Sequence, residues 1–344
     1  MSTYNGVLLR KALDDTGNLP YTGGVVSNSP DIIPKGLVPY SDPQKTLSDD
    51  YNNKDDGTSL TMDIDNYFYM RGKNLSQESI EGDFYLYVMK PNLLIYPDQW
   101  KDKGLRVASS TEENPVYNSS FPSTAPGKIA VATNPFIWNP DTTTHHCAIG
   151  RVVSAQNPNP IPQTGTVNDL AAWLVNQGGY CWRNLQIVDK GVQWSQSTTY
   201  TQGAMGAKMY ILVTCNGCPI NSTISFSCGV AGPKPQIYLP PTPITTTQGF
   251  ITGIHSEIPA NYISNMIISY EPSGSPLQGF EITVSAQYVV DNSNPLYAHG
   301  ITLSKFGLPE GSDDPLHNKQ IKSLRSLEKM GPTQAIQVGT QTYI

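Results

Sequence analysis

The sequence has 344 residues, enough to bury the cores of two all-β domains or of one large sandwich. Charged residues make up 15% of the chain, with 22 basic against 28 acidic groups and a net charge of −6. Hydroxyl, amide and phenol groups take the place of charge, and such a surface suits contact with sugars or with copies of the same protein. An acidic chain of this kind is a poor partner for nucleic acid.

Neither a membrane span nor a secretory signal is predicted. No apolar run approaches the ~18 residues that a spanning helix needs. The opening MSTYNGVLLRKALDD has only a short apolar patch followed by charges. We expect an extracellular protein or a part of a released particle, exported by lysis or by a dedicated machine, and a cytoplasmic location stays open.

Residues 1–58 are rich in turn formers and predict an extended N-terminal arm laid over a β-sandwich. Its strands, such as residues 25–26 and 31–33, are confined to edge positions because the nearby prolines cannot donate to a central ladder. The acidic cluster at residues 49–56 does not have the spacing of a calcium loop, since Lys54 stands where an oxygen ligand is needed. A solvated loop explains it better.

Residues 59–200 predict an immunoglobulin-like β-sandwich with one short crossover helix. Aromatic and β-branched segments alternate there with Gly, Pro and Asn turn signals. The helix begins at Thr166, which forms a capping box with Asp169, and it ends at Gly178-Gly179. Helical spacing turns Trp173 toward the core, where we expect it to close an open end of the sandwich.

Residues 201–304 predict a second β-sandwich domain that begins with a hairpin. Asn216-Gly217 favours a type I′ turn, which sets Cys215 opposite Cys218. Opposed hairpin cysteines have a Cα separation of ~5.5 Å, so a disulfide fits this turn and two reduced thiols fit equally well. Pro219 just after the turn leaves a free edge. The predicted register pairs Val213 with Ile220, Met209 with Ile224 and Ala207 with Phe226.

Residues 305–344 predict a C-terminal arm with a short helix and a final strand. The helical segment carries a +3 charge in a chain that is acidic overall. Its apolar side and the hairpin edge are the expected places for contact between subunits. The predicted assembly contacts are Pro219, Asn221, Ile321, Leu324, Leu327 and Tyr343.

Catalytic, metal and cofactor sites are not predicted. The sequence has no G-x-S-x-G, H-E-x-x-H, phosphate-loop or G-x-G-x-x-G pattern. Within His145-His146-Cys147, only the first and third residues can share a strand face, and we expect Cys147 to fill the core. Asp63 and Asp65 lie two apart on a predicted strand. Such a pair could serve glycoside hydrolysis, and an edge or a calcium-facing position explains it equally well.

Three segments form a pattern over somewhat more than a third of the chain: DNYFYMRGKN at 65–74, WNP at 138–140 with HCAIGRV at 146–152, and WRNL at 182–185. They resemble the N-x-Y-V-R-x-x-N, W-x-P…H-x-C-L-x-A-R and W-R-N stretches of bacterial extracellular immunoglobulin-like domains of the adhesion or CARDB type. The resemblance implies an immunoglobulin-like sandwich that supports or displays other domains. It implies no particular activity.

We therefore expect an all-β protein: an immunoglobulin-like β-sandwich, a second β-rich domain, one crossover helix and extended terminal arms. The first functional hypothesis is a non-enzymatic structural or interaction protein, a self-associating subunit of a particle or appendage. The second is a secreted carbohydrate-binding or toxin-like factor that contacts glycans or a cell surface, and a hydrolase ranks last. Most of the aromatic residues should be core, and any exposed one would be a sugar-stacking platform or an assembly contact. The aromatic residues are Tyr67, Phe68, Tyr69, Tyr85, Tyr87, Tyr96, Trp100, Trp138, Trp173, Trp182 and Trp194.

Overall fold

A computed structural model describes residues 2–23, 26–53, 60–141, 146–185, 193–229, 237–303 and 333–343. Antiparallel strands dominate these residues, and their α-helices are α1 (Pro43–Asp49) and α2 (Val167–Asn176). The predicted all-β class is confirmed. Several predicted features lie outside the described residues, namely residue 25, the cluster positions 54–56, His145, and the C-terminal helix with Ile321, Leu324 and Leu327.

The chain forms two compact units. Unit 1 takes the described residues within 1–90, 96–163 and 173–185, and unit 2 takes those within 91–95, 164–172 and 186–344. The units differ from the predicted domains. Residues 91–95, 164–172 and 193–200 of the predicted first sandwich lie in unit 2. The residues predicted as an N-terminal arm lie within unit 1, and the described residues of the predicted C-terminal arm lie within unit 2.

Unit 1 is a β-sandwich. Its strands are β1 (Ser2–Thr3), β2 (Val7–Leu8), β3 (Asn18–Leu19), β4 (Ile32–Gly36), β5 (Asn66–Asn74), β6 (Ile80–Met89), β7 (Ser119–Thr124), β8 (Ile129–Val131), β9 (Phe136–Trp138), β10 (His146–Ser154) and β11 (Tyr180–Leu185). One sheet has the order β11-β10-β6-β7. In the other, β5 pairs with β2, β4, β8 and β9. The N-terminal residues therefore supply strands to the sandwich.

The core of unit 1 lies between these two sheets. Phe68 and Met70 of β5 belong to one buried cluster with Phe84 of β6 and Val152 of β10. The sheets come close together at Gly150, where a Cβ would lie 2.4 Å from the Met70 Cε atom. A side chain at position 150 would force the end of the Met70 side chain to move, and it would also press on Cys181 Sγ at 3.0 Å.

Both helices begin at recognisable caps. Helix α1 lies in a segment predicted as a loop, yet Asp42 accepts a hydrogen bond from the Lys45 backbone N–H at 3.0 Å, and Pro43 occupies the first turn. Helix α2 matches its prediction. The Thr166 hydroxyl accepts from the Asp169 backbone N–H at 3.1 Å, and the helix ends before the predicted Gly-Gly stop.

A buried ion cluster ties the N-terminal residues of unit 1 to its central strand. Asp31 is fully buried, and the Arg10 guanidinium donates to both of its carboxylate oxygens, with Nη2 2.5 Å from Oδ1. The Arg71 Nε atom on β5 lies 3.6 Å from the same Oδ1 atom. Arg10 also stacks over the Tyr51 ring at 3.6 Å. Burial raises the pKa of Asp31, so its charge depends on the two guanidinium groups that oppose this shift.

Unit 2 is a second β-sandwich. Its strands are β12 (Trp194–Thr201), β13 (Ala207–Asn216), β14 (Thr223–Cys228), β15 (Tyr238–Pro243), β16 (Phe250–Ile258), β17 (Ile263–Glu271), β18 (Glu281–Val290), β19 (Ile301–Leu303) and β20 (Thr333–Tyr343). They form the sheets β12-β17-β14-β15 and β16-β13-β18-β20-β19. The sheets face each other, because Trp194 of β12 stacks on Tyr343 of β20 at 4.6 Å. Beside this stack, Gln341 donates to the Thr198 hydroxyl.

The hairpin predicted around Asn216-Gly217 is wrong. β13 is a central strand that pairs with β16 and β18, while β14 pairs with β15 and β17 in the opposite sheet. Gly217 has a turn-like φ of 61°, but this turn is a corner that carries the chain between sheets. Cys218, Pro219 and Asn221 lie in that corner, so the expected free hairpin edge is wrong as well. The observed partners are Phe250 and Ile282 for Cys215, Thr252 and Val284 for Val213, Ser256 and Tyr288 for Met209, and Ile258 for Ala207.

The final strand, β20, pairs with β18 and β19 inside the chain. Tyr343 is fully buried, and its hydroxyl donates to Gln341 at 3.0 Å. The prediction that Tyr343 contacts another subunit is therefore wrong, because its ring already fills the core of unit 2.

Removing the buried carboxylate should destabilise the protein strongly. In Asp31→Asn, Arg10 and Arg71 lose their buried counter-charge, which should lower the free energy of unfolding by about 3–5 kcal/mol. Urea unfolding followed by circular dichroism measures this change. The control is Asp49→Asn, which breaks the exposed pair with Lys45 and should have no measurable effect. Equal unfolding curves for the two variants would contradict the assignment.

Candidate interaction surface

The outer face of one sheet of unit 2 is nearly free of charge. Strands β12, β17 and β14 alternate, so that Tyr200, Met266 and Phe226 point into the core while the residues between them point outward. We name the outward set the hydroxyl face. It consists of Ser195, Ser197, Thr199, Thr201, Thr223, Ser225, Ser227, Ile263, Asn265, Ile267, Ser269 and Glu271.

Two isoleucines stand on β17, an interior strand of this sheet. Ile263 is 62% exposed and Ile267 is 41% exposed. Ile267 lies between two polar rows, opposite Ser197 of β12 and Ser227 of β14. An apolar side chain left on a strand surface gains free energy only when another surface covers it. The two isoleucines are therefore the expected anchors of a contact.

Two pairs of polar groups on the hydroxyl face are bonded to each other. The Ser195 and Ser269 hydroxyls lie 2.8 Å apart, and the Ser197 hydroxyl donates to Asn265 Oδ1 at 2.6 Å. Burying a hydroxyl that keeps its hydrogen bond costs much less than burying an unpaired or charged group. These two pairs can therefore be covered without a large desolvation penalty.

β12 also leaves part of one sheet edge open. The Thr199 backbone N–H donates to the Pro91 carbonyl at 3.1 Å, and its carbonyl accepts from Leu93 at 2.8 Å. By strand alternation, Ser195 and Ser197 turn their backbone groups to the same edge. Within the described residues no backbone group pairs with them there. The opposite edge strand, β15, carries three prolines that block pairing.

The predicted cysteine pair is held as two thiols. Cys215 and Cys218 are both fully buried and unbridged, so the reduced alternative describes the structure. A hydrogen bond between the two thiols, together with burial, raises the pKa of Cys215. Cys218 also lies 3.6 Å from the Asn216 carbonyl oxygen. The hydrogen bond between the thiols lowers the pKa of Cys218. Both thiols are fully buried, which does not suit a nucleophile.

The other candidate groups do not form a site in the described part of the chain. Cys147 is fully buried, which confirms its core position, and His146 packs edge-on against Trp138 at 4.9 Å. Asp63 and Asp65 do not share a strand, contrary to the prediction. Asp63 lies in a turn with a φ of 60°, and Asp65 lies beside Arg106. No group of three metal-ligating side chains occurs among the described residues.

Most of the aromatic residues are core, as predicted. Trp173 stacks on Trp182 at 6.1 Å, and both belong to a cluster with Tyr87, Trp100 and Tyr180. This cluster covers the outer side of sheet β11-β10-β6-β7, so Trp173 lies over a sheet face and not at an open end. The predicted aromatic residues that remain half-buried are Tyr67, Tyr85, Trp138 and Trp173.

Unit 2 also contains a nearly buried histidine. His255 of β16 lies 5.0 Å from the Tyr210 ring. Burial, helped by nearby Lys208, lowers the pKa of His255 to about 4. This histidine is therefore neutral at neutral pH and charges only when its surroundings are disrupted.

Sequence reasoning missed the hydroxyl face. The segment NMIISYE reads as an apolar strand, and nothing local shows that Ile267 points to the solvent while Ile268 points to the core. β12 lies just before the predicted domain boundary, so it is placed in the wrong sandwich. The sequence signal that could have revealed this face is the Ser/Thr alternation of WSQSTTYT, which is typical of a strand with one solvent-exposed face.

None of the helices in the described ranges has the length and apolar character needed to cross a membrane. No family model and no curated protein match the chain. Among solved structures, the crystal structure of red sea bream transglutaminase is similar, with a TM-score of 0.22 and 10% identity. The match covers 67% of this chain and 28% of that one, so the chain spans less than a third of that protein.

This comparison corrects the expectation that the protein is not an enzyme. The similar solved structure is that of an enzyme, and the exclusion of catalysis is therefore not carried further. A likeness of this size assigns no activity to the chain either. The immunoglobulin-like resemblance stays a prediction, although its three segments fall on strands β5, β9, β10 and β11 of unit 1.

The cysteines should all be free and shielded. We expect alkylation of the denatured protein without reductant to modify all five cysteines. The native protein should react much more slowly, because each thiol is buried. Mass spectrometry counts the modified thiols, and a denatured product with only three would reveal a disulfide and contradict the structure.

His255 should make stability depend on pH below neutrality. Its folded-state pKa of about 4 lies below the ordinary value of ~6.5, so protonation favours the unfolded chain. Its contribution is therefore constant above about pH 6.5, falls as the pH drops toward about 4, and amounts to about 2 kcal/mol lost by pH 5. His255→Gln should flatten the pH dependence of urea unfolding. His299→Gln is the control, and equal pH profiles for both variants would contradict this assignment.

Proposed function

We propose that this protein acts by contact with further copies of itself, as a subunit of a self-assembling particle or appendage. The observation that carries the proposal is the hydroxyl face, with Ile263 and Ile267 exposed on β17. A chain with a net charge of −6 repels its own copies. A face whose single charged member, Glu271, lies at its end is the kind of surface on which two copies can meet.

The size of this face suits a modest interface. A nine-residue strand such as β17 is about 30 Å long, and the three strands of the hydroxyl face span about 14 Å, which gives roughly 430 Å² per copy. Two copies packed face to face would bury roughly 860 Å², in the range of weak and transient interfaces. Such contacts are weak singly and become effective when many copies assemble together.

Sheet-on-sheet packing provides the geometry. Two sheets pack about 10 Å apart with their strands nearly aligned, so side chains of one face fill the gaps of the other. Ile263 and Ile267 would then insert between Ser and Thr rows of the second copy. The open edge at Ser195 and Ser197 adjoins this face and supports strand addition as an additional contact.

Charging the face should prevent assembly. We expect the average mass of the wild-type protein to rise above the 37.6 kDa monomer with concentration. The double variant Ile263→Lys with Ile267→Lys should stay monomeric, because two lysines on each face repel and resist burial. Size-exclusion chromatography with light scattering, repeated over a concentration series, measures this.

The matched control is Val38→Lys, which places a lysine on an apolar residue of unit 1 that is 69% exposed. It should assemble like the wild type. Circular dichroism checks that all variants fold. A wild-type protein that stays monomeric over the whole series, or a double variant that assembles normally, would refute the proposal.

A further inference from the structure

Loops of unit 1 border an open surface pocket of about 210 Å³, where the side chains of Asn5, Gln77, Glu78 and Gln156 are exposed to solvent. The loop before β2, the β5–β6 turn and the loop after β10 converge there. Carboxamides dominate the lining, joined by one carboxylate and one hydroxyl. These groups belong to Asn5, Gln77, Gln156, Asn157, Glu78 and Ser76.

Hydrogen bonds between the loops hold the pocket in shape. The Leu75 backbone N–H donates to the Gly6 carbonyl at 2.9 Å, which joins the β5–β6 turn to the N-terminal loop. Asn157 Nδ2 donates to the Asn5 carbonyl at 2.8 Å, which joins the third loop. A Cβ at position 6 would lie 2.7 Å from Asn157 Nδ2, so Gly6 permits this approach. The pocket is therefore organised before any ligand arrives.

The β5–β6 turn is equally well fixed. Asn74 is buried and donates to the carbonyls of Glu78 and Thr124, both at 2.8 Å. The Ser76 hydroxyl donates to the Glu78 carbonyl at 2.7 Å. These bonds occupy the backbone and the short side chains, and they leave the side chains of Gln77 and Glu78 at the pocket wall.

Several lining groups keep their hydrogen-bonding capacity. The side chains of Asn5, Gln77, Glu78 and Gln156 make no hydrogen bond to the described part of the chain. A carboxamide donates and accepts at once, as does a sugar hydroxyl, and a carboxylate accepts from two adjacent hydroxyls.

The lining also argues against charged ligands. It contains no lysine or arginine, so a phosphate or sulfate would find no cation. It contains a single carboxylate, whereas calcium sites draw six to eight oxygen ligands and usually several carboxylates. Carboxamides with one carboxylate match a neutral, hydroxyl-rich ligand best.

We infer that this pocket is a binding site for a neutral saccharide. Its carboxamides contact the hydroxyls in both directions, and Glu78 accepts from a pair of them. The site belongs to unit 1 and does not rest on self-association through the hydroxyl face of unit 2. A failed assembly experiment would leave this inference intact.

The test titrates isotope-labelled protein with glucose, galactose, mannose and N-acetylglucosamine, and follows the side-chain amide signals by NMR. We expect at least one sugar to shift the Gln77 and Gln156 signals saturably. Gln77→Leu with Gln156→Leu should weaken that binding by roughly tenfold or more, since each neutral hydrogen bond accounts for a two- to tenfold change. Gln248→Leu, an exposed glutamine of unit 2, is the matched control and should bind normally.

Glu78→Gln separates a sugar site from a cation site. It keeps the shape and can still bond to hydroxyls, so sugar binding should weaken by roughly tenfold or less. A calcium titration of the same signals should give no saturable shift in the wild type. The inference is overturned if no sugar binds where a ligand with a Kd of about 10 mM would saturate, if the double leucine variant binds unchanged, or if calcium alone shifts these signals.

Discussion

The arrangement of unit 1 depends on the ion pairs that the Asp31 carboxylate forms with Arg10 and Arg71. A fully buried charge is costly, and this one persists because Arg10 and Arg71 both reach it. Arg71 lies on the central strand β5, whereas Arg10 and Asp31 belong to the N-terminal residues. The ion cluster therefore fixes the position of residues that composition alone predicts as a loose arm. A second buried cation, Lys11, is anchored next to it by the Gln177 carbonyl at 2.6 Å.

The loop pocket follows from the same constraint. Asn5 and Gly6 precede β2, which pairs with β5 only when the N-terminal segment is seated in the sandwich. The bonds from Leu75 to Gly6 and from Asn157 to Asn5 then close the three loops around one space. No local motif predicts this pocket, because its lining residues come from three loops that are far apart in sequence. The Arg10–Asp31 ion pair helps to hold the first of these loops in position.

Local sequence signals predicted the secondary-structure elements well. They did not predict which strands pair with one another. The capping box at Thr166 depends on neighbours within a few residues, and the structure follows it. The error at Asn216-Gly217 has a physical reason: a turn fixes the local backbone, whereas the strand partners are chosen by packing across the sandwich. β13 lies in the middle of its sheet because it pairs with β16 and β18, which are far along the chain.

The hydroxyl face of unit 2 and the loop pocket of unit 1 share one property, which is that both carry few charged side chains. Folding covers the cores with hydroxyl and amide groups in place of lysine and glutamate, and such groups are easier to desolvate than ions because hydrogen bonds can replace their water. On the flat sheet of unit 2, Ser and Thr rows surround two isoleucines and favour a large partner of the same kind. At the loops of unit 1, carboxamides surround a concave space and favour a small hydroxylated ligand. The same surface chemistry thus leads to two kinds of recognition, and the shape on which it is displayed decides which one applies.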